Sequence, residues 1–320
     1  MKDAFRRLRE WEALRAQKRE PHPHFSLHDR LGRRRFTRWA RTAIAFAVTL
    51  AALAGAYFLF IATQGGVRAD LDAPRPAAPA GGSPAVAVAA GLLSLQSDDL
   101  DSGALFLPDR HRRRVALFQD GAAATASAFV EVLARRRAPD RDLDRAAVLL
   151  AAPRADMGQE TTQRRDEARE ALRRFNARIG ARGPALERSA ATLAALARAA
   201  AATCEAHEQA VRAAAVRGRF GPADPGAEAA FFRARGAAFA WARLISAYRE
   251  ELPESARVKV GVVVEEAILP LAEAATFEPR VLFNAPRGTN IAPNHLERMA
   301  TDLAAAAAAA RRLSEAAEAR

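Results

Sequence analysis

A single cysteine, Cys204, stands among 320 residues. With one thiol the chain forms no internal disulfide, and a zinc cluster built on cysteines is excluded as well. Lysine is nearly absent, occurring only at Lys2, Lys18 and Lys259, so arginine carries almost all of the positive charge. Aromatic residues make up 7% of the chain and β-branched runs are rare, which argues against a core built from sheets. Also missing are a glycine-rich phosphate loop, an HExxH zinc helix and a GxSxG nucleophile elbow. Of six histidines, three (His22, His24 and His28) lie close to the N-terminus, which leaves few groups for acid–base chemistry.

What is present is a helix-forming composition of Ala, Leu, Arg and Glu. Half of the residues are apolar, but alanine supplies much of that half and buries little area per residue. A stable core therefore needs long helices packed closely. The net charge of +12 raises the question of nucleic acid or an anionic membrane. Its distribution answers part of it. Residues Met1–Arg41 hold thirteen Lys or Arg against five Asp or Glu, a net +8, which leaves +4 for everything that follows. The larger part of the chain is close to balanced, and no nucleic-acid partner is expected there.

The run Thr42–Thr63 carries no charge. At 1.5 Å per residue it is long enough as a helix to cross a bilayer core of roughly 30 Å. Arg33, Arg34, Arg35, Arg38 and Arg41 flank it on the N-side, whereas Arg68, Asp70 and Asp72 follow it. The positive-inside rule then predicts a cytoplasmic N-terminus and an external C-terminal domain, which in a bacterium means the periplasm. Trp39 and Tyr57 fall near opposite ends of the run, where amphipathic rings favour the interface. A cleaved signal peptide is the competing reading, but the run is long, starts late and lacks a small-x-small site after it. Ala47, Ala51 and Gly55 recur every four positions, a spacing that suits packing against a second span.

Residues 1–41 form a basic tail. Met1, Ala4, Phe5, Leu8, Trp11 and Leu14 share about half of a helical circle. Two readings stay open, a helix lying on the anionic leaflet and a tail that only sets topology. The His22, His24 and His28 cluster sits between prolines and reads as a loop more than a metal site. Residues 64–103, rich in Pro, Gly and Ala, are expected to be a flexible tether with an irregular segment. Within it Ser97–Gly103 (SDDLDSG) lacks the glycine position and closing glutamate of a calcium loop and reads as a polar turn.

From 104 to 320 the apolar period is helical. Val115, Phe118, Ala122, Phe129 and Leu133 mark a first helix, followed by helices at Asp140–Ala151, Thr162–Ile179 and Pro184–Arg217. A fifth at about Ala227–Leu252 is the most apolar and is expected to lie centrally. Pro253 starts a sixth, which Pro270 should kink or end, and a last helix begins near Pro293. The predicted fold class is all-α: a single transmembrane helix, a tether, and a periplasmic multi-helix bundle.

Two clusters hold candidate chemistry. Cys204 and His207 share a helix face with Glu205 and Glu208 close by, but the Glu-x-x-His spacing of a di-metal bundle is absent. His295 opens the last helix beside Asn294, with Asn284 and Asn290 in the preceding loop. A neutral base near a helix N-terminus is one reading, and side chains fastening a loop by hydrogen bonds is the other.

The stretches FFRARGAAFAWARLI (Phe231–Ile245) and FNAPRGTNIAPNHLERMATDLAAAA (Phe283–Ala307) resemble an uncharacterised family of bacterial membrane proteins that carries a domain of unknown function. The resemblance covers the C-terminal third and implies an inner-membrane protein with an anchor and a helical domain. It implies no activity and transfers no catalytic residue.

The expected function is a non-enzymatic, membrane-anchored envelope protein whose bundle binds or organises a partner. Its partners would be the lipid bilayer and an envelope protein, with self-association left open and no cofactor expected. The alternatives are a periplasmic ligand sensor acting through another protein, and a hydrolase or metal-dependent enzyme using His207 or His295.

Overall fold

The structure, a computed structural model, describes residues 39–56, 69–94, 109–136, 139–151, 159–181, 186–217, 221–222, 225–279, 281–285 and 294–319. The tail helix, the histidine cluster, the SDDLDSG turn, Tyr57, Asn290 and the arginines at 33, 34, 35 and 38 lie outside these residues. The chain divides into two units, Met1–Thr63 and Gln64–Arg320.

In the first unit, α1 (Trp39–Ala56) is long and apolar enough to cross a membrane, and none of it is buried. Ile44, Phe46, Val48, Leu50 and Leu53 all face outward, as does Trp39 at its first turn. Thr49 turns its hydroxyl back onto the Ala45 carbonyl at 2.8 Å, so that donor is satisfied within the helix.

The second unit is an all-α bundle. In order it comprises α2 (Pro84–Ser94), α3 (Asp109–Arg135), α4 (Arg141–Ala151), α5 (Gln159–Gly180), α6 (Ala190–Arg217), α7 (Pro225–Glu251), α8 (Glu254–Thr276) and α9 (His295–Glu318). One antiparallel bridge joins β1 (Gly221–Pro222) to β2 (Phe283–Asn284). Residues 258–266 (VKVGVVVEE), locally rich in β-branched side chains, are helical, inside α8.

Helix α7 is the central element and packs against α2, α3, α6 and α8. Phe231, Trp241, Leu244, Ile245 and Tyr248 are fully enclosed. The small size of alanine is answered by close approach. A Cβ on Gly236 of α7 would overlap the Phe118 carbonyl of α3, and one on Gly121 of α3 would overlap the Arg233 carbonyl of α7. The two backbones therefore touch where they cross. Small side chains offer little dispersion attraction, and the main chains supply it in their place. Helices α6 and α9 form the other alanine-rich pair. Their ion pairs Arg198–Glu318, Glu205–Arg311 and Arg212–Glu297 run in opposite sequence order, which makes the pair antiparallel.

Two expectations need correction. Residues 69–94 are neither tether nor irregular chain. Arg243 donates to the carbonyls of Asp70 (3.2 Å) and Ala73 (3.0 Å), and Arg75 donates to Ser246 (2.9 Å) while pairing with Glu250 (2.6 Å). Gly81 takes φ +72°, and the turn around it sits so close to Gly180 that a Cβ on Gly180 would strike the Ala80 carbonyl. Ser83 then caps α2 by accepting from Val86 N–H at 3.1 Å. Helix α2 is buried along nearly its whole length, from Ala85 through Leu93. A helix enclosed on all sides shows no apolar stripe, so no period in the sequence reveals it. The second concerns Pro270, expected to kink or end its helix: it stands inside α8, so the helix does not end there. The helix runs on to Thr276 because Leu271, Ala274 and Ala275 beyond the proline are buried against the bundle.

Candidate functional site

The loop before α9 is held by side chains from both of its ends. Asn294 is the N-cap of α9: its Oδ1 accepts from Glu297 N–H at 2.9 Å, and its Nδ2 donates to the Ala285 carbonyl at 2.6 Å. His295 uses Nδ1 to accept the Phe283 N–H at 2.9 Å, and its ring also bonds the Val281 backbone. Asn284 is buried and donates to the Ala215 carbonyl near the end of α6 at 3.0 Å. The β1–β2 bridge adds main-chain pairing at the same place. Three of the four residues singled out in the sequence thus meet in one fastening of the α8–α9 connection to α6. Asn290 is outside the described residues.

The chemistry available there is set by burial. Partial burial lowers the His295 pKa below the ordinary imidazole value, the bond to the Val281 backbone opposes this and the Arg298 guanidinium adds to it, so the charged ring is disfavoured. Phe277 stands edge-on to both His295 and Phe231 at centroid distances of 5.8 Å, and Arg298 stacks over it at 4.2 Å. Nearby on α9, Asp302 is held above the usual carboxylate range, first by desolvation and further by Glu273, with Arg298 opposing. Its Oδ2 has no hydrogen-bond partner among the described residues, the Arg298 Nε being 3.7 Å away.

Cys204 points into the core, where desolvation pushes its thiol up to about 12. Glu205 and Glu208, on the same helix, are engaged outward by Arg311 and Arg212. The cluster is therefore divided between interior and surface, and the thiol is not poised as a nucleophile or a ligand. No three His, Cys, Asp or Glu residues among those described stand together to hold a metal ion. A concavity of about 510 Å³ is lined by Thr162, Gln163, Asp166, Glu167 and Glu170, all from α5, so it is a hollow on one helix rather than a cleft between elements.

Three buried charged centres lie outside the two clusters read in the sequence as candidate chemistry. Asp120 of α3 accepts from Arg165 of α5 and from Arg233 of α7, each at 2.9 Å. Arg235 is 1% exposed, donates to the Ala275 carbonyl at 2.7 Å and pairs with Glu278 at 3.1 Å. Glu251 accepts from Ser83 Oγ (2.6 Å) and Ala85 N–H (2.7 Å) at the start of α2, with Arg188 at 3.5 Å. Desolvation raises the Glu251 pKa, while those donors and the N–H groups of the helix terminus favour its charged form. The signal that points to such centres is visible in FFRARGAAFAWARLI, where three arginines interrupt an apolar stretch of the central helix. An arginine in that setting has either to be paired or to bond backbone carbonyls.

These centres join α2, α3, α5, α7 and α8 through engaged polar groups, and the geometry around His295 is that of a fastening. No family model, no curated protein and no solved structure matches this chain.

Proposed function

We propose that this chain is a non-enzymatic, single-pass protein of the bacterial inner membrane whose helical bundle stands in the periplasm and binds or organises an envelope partner. The observation that carries the reading is α1. Its large apolar side chains are 58–69% exposed from Ile44 through Leu53, and burying them in hydrocarbon is the ordinary way for a helix of that length and composition to be stable. The arginine excess before the run and the acidic residues after it support a cytoplasmic tail. The resemblance of Phe231–Ile245 and Phe283–Ala307 to a family of bacterial membrane proteins supports the same placement.

The bundle fits a binding role because its conspicuous polar groups are spent on holding helices together. A surface built this way recognises a partner by shape and by charge pairs along exposed helix faces. Spheroplast proteolysis tests the placement: the bundle is expected to be cut by added protease while residues 1–41 stay protected. Protection of the bundle in intact spheroplasts, or release of the protein by alkaline carbonate, overturns it. Crosslinking in intact cells tests the binding role, and recovery of no specific partner, this chain included, counts against it.

A further inference from the structure

Helix α8 has more apolar surface than its neighbours cover. It packs chiefly on α7 and α9, through Val260, Val264, Ala267, Leu271, Ala274 and Ala275. Yet Val258, Val262 and Leu269 are 71%, 71% and 61% exposed. At about 100° per residue these three fall within about 40° of one another, on the side away from the bundle. Three large apolar side chains gathered on one exposed face, edged by Glu265 and Glu273, form a patch that a partner can cover.

Gly261 adds a second, independent observation. It lies in the middle of α8 beside this stripe, where glycine costs roughly 1 kcal/mol relative to alanine. At Gly121 and Gly236 the fold offsets that cost, since a neighbouring backbone occupies the space a Cβ would need. At Gly261 nothing lies within 4 Å of that position. Among the described residues no neighbour requires a glycine here, and the position suits the close approach of another helix.

The flanking charges say which helix. The exposed basic residues of α8, Arg257 and Lys259, lie in its first half together with Glu254, and the acidic Glu265, Glu266 and Glu273 lie in its second. Arg257 is taken by Glu254 and Glu265 by Arg249 of α7. Lys259 and Glu266 make no ion pair among the described residues. They are seven positions apart and therefore on the same flank of the stripe. An anionic leaflet would be repelled by the acidic half, so a lipid surface fits poorly.

We infer that this face of α8 pairs antiparallel with the same face of a second copy of the chain. A two-fold axis between Val262 and Val263 sets Lys259 of each copy opposite Glu266 of the other, on the same side of the seam, and brings the two Val262 and Gly261 positions together at its centre. Both charge pairs form at once because the interface is isologous. Three apolar side chains per copy make a weak interface alone, and a shared membrane raises the effective concentration that sustains it. The inference names the partner of the bundle and so rests on its reading as a binding module.

The test uses the full chain in bacterial membranes. Cys204 is buried and stays silent, so Val262→Cys reports the seam under mild oxidation, with Val148→Cys on α4, 72% exposed, as the control. Val262→Cys is expected to give a disulfide-linked dimer and Val148→Cys to remain monomeric. In the Val262→Cys background, Lys259→Glu should lower the dimer yield roughly five- to tenfold, and adding Glu266→Lys should restore it. Equal dimer from both cysteine positions, no dimer from Val262→Cys, or no rescue by the double reversal overturns the inference. Capture of a different protein from position 262 overturns self-pairing but leaves the envelope role standing. Protease protection of the bundle would overturn that role while leaving the dimer intact.

Discussion

Gly236 of α7 lies against the Phe118 carbonyl of α3, so closely that no side chain fits between them. This approach, with its counterpart at Gly121, sets the distance between the central helix and the first long helix of the bundle. Gly236→Ala is expected to force the helices apart and cost about 2 kcal/mol or more. Thermal denaturation of the full chain in detergent checks this. The matched change at Gly261, where no atom of the described residues is near, should leave the stability of the single chain unchanged or raise it by about 0.5–1 kcal/mol.

Asp120 joins three helices from a buried position. Asp120→Asn keeps the volume but leaves the enclosed Arg165 without its full counter-charge. A loss of about 3 kcal/mol is expected in chemical denaturation. Arg233→Ala, on the more exposed partner, should cost less, about 1 kcal/mol.

His295 makes the bundle sensitive to mild acid. Its folded pKa is lowered, by desolvation first and by Arg298 second, so the unfolded chain binds this proton more readily. Its contribution is complete above the unfolded value of about 6.5 and is lost as pH falls through the folded value. His295→Gln, which still offers an acceptor to Phe283 N–H, should flatten the melting temperature between about pH 7.5 and pH 5.5, measured as a profile against the parent chain.

Asp302 acts with the opposite sign. Its folded pKa is raised, by desolvation first and by Glu273, so its ionisation opposes folding once pH passes the unfolded value. Asp302→Asn should raise the melting temperature at about pH 7.5 by roughly 1–3 °C. The gain should vanish near pH 3.8, where the parent carboxyl is itself largely protonated. A variant less stable than the parent at both pH values would overturn this assignment.

Cys204 should resist alkylation. With its thiol pushed up to about 12 and its side chain in the core, labelling by iodoacetamide at about pH 8 should be at least about a hundredfold slower in the folded chain than in denaturant. Mass spectrometry of timed samples measures it.

The long helices are legible because their apolar residues recur on one face. Spacing alone puts Phe129 and Leu133 on α3, and Leu172 and Phe175 on α5, inward, and all four are buried. Asn294 and His295 stand out as a polar pair opening a helix, and the cap and loop bonds they make are local. Helix α2 leaves no such mark because Ala85–Ala90 is apolar on every side. Residues 69–83 read as a tether because proline and glycine look alike in mobile and in docked chain. What docks them is Arg243, 170 residues along the chain from Ala73, reaching main-chain carbonyls that have no helix or sheet partner.

The sequence by itself determined the helical class, the charge-free run and the asymmetry of charge around it, because composition and period act through the nearest few residues. Only the tertiary structure decided which glycines are crossing points, which arginines are buried, and that Pro270 is passed over. Those outcomes depend on what stands opposite, and a linear pattern carries no record of the space across from a residue. Gly236 and Gly261 are both mid-helix glycines in the sequence. One has a backbone against it and the other faces open space, and that difference is what gives α8 a face left to pair.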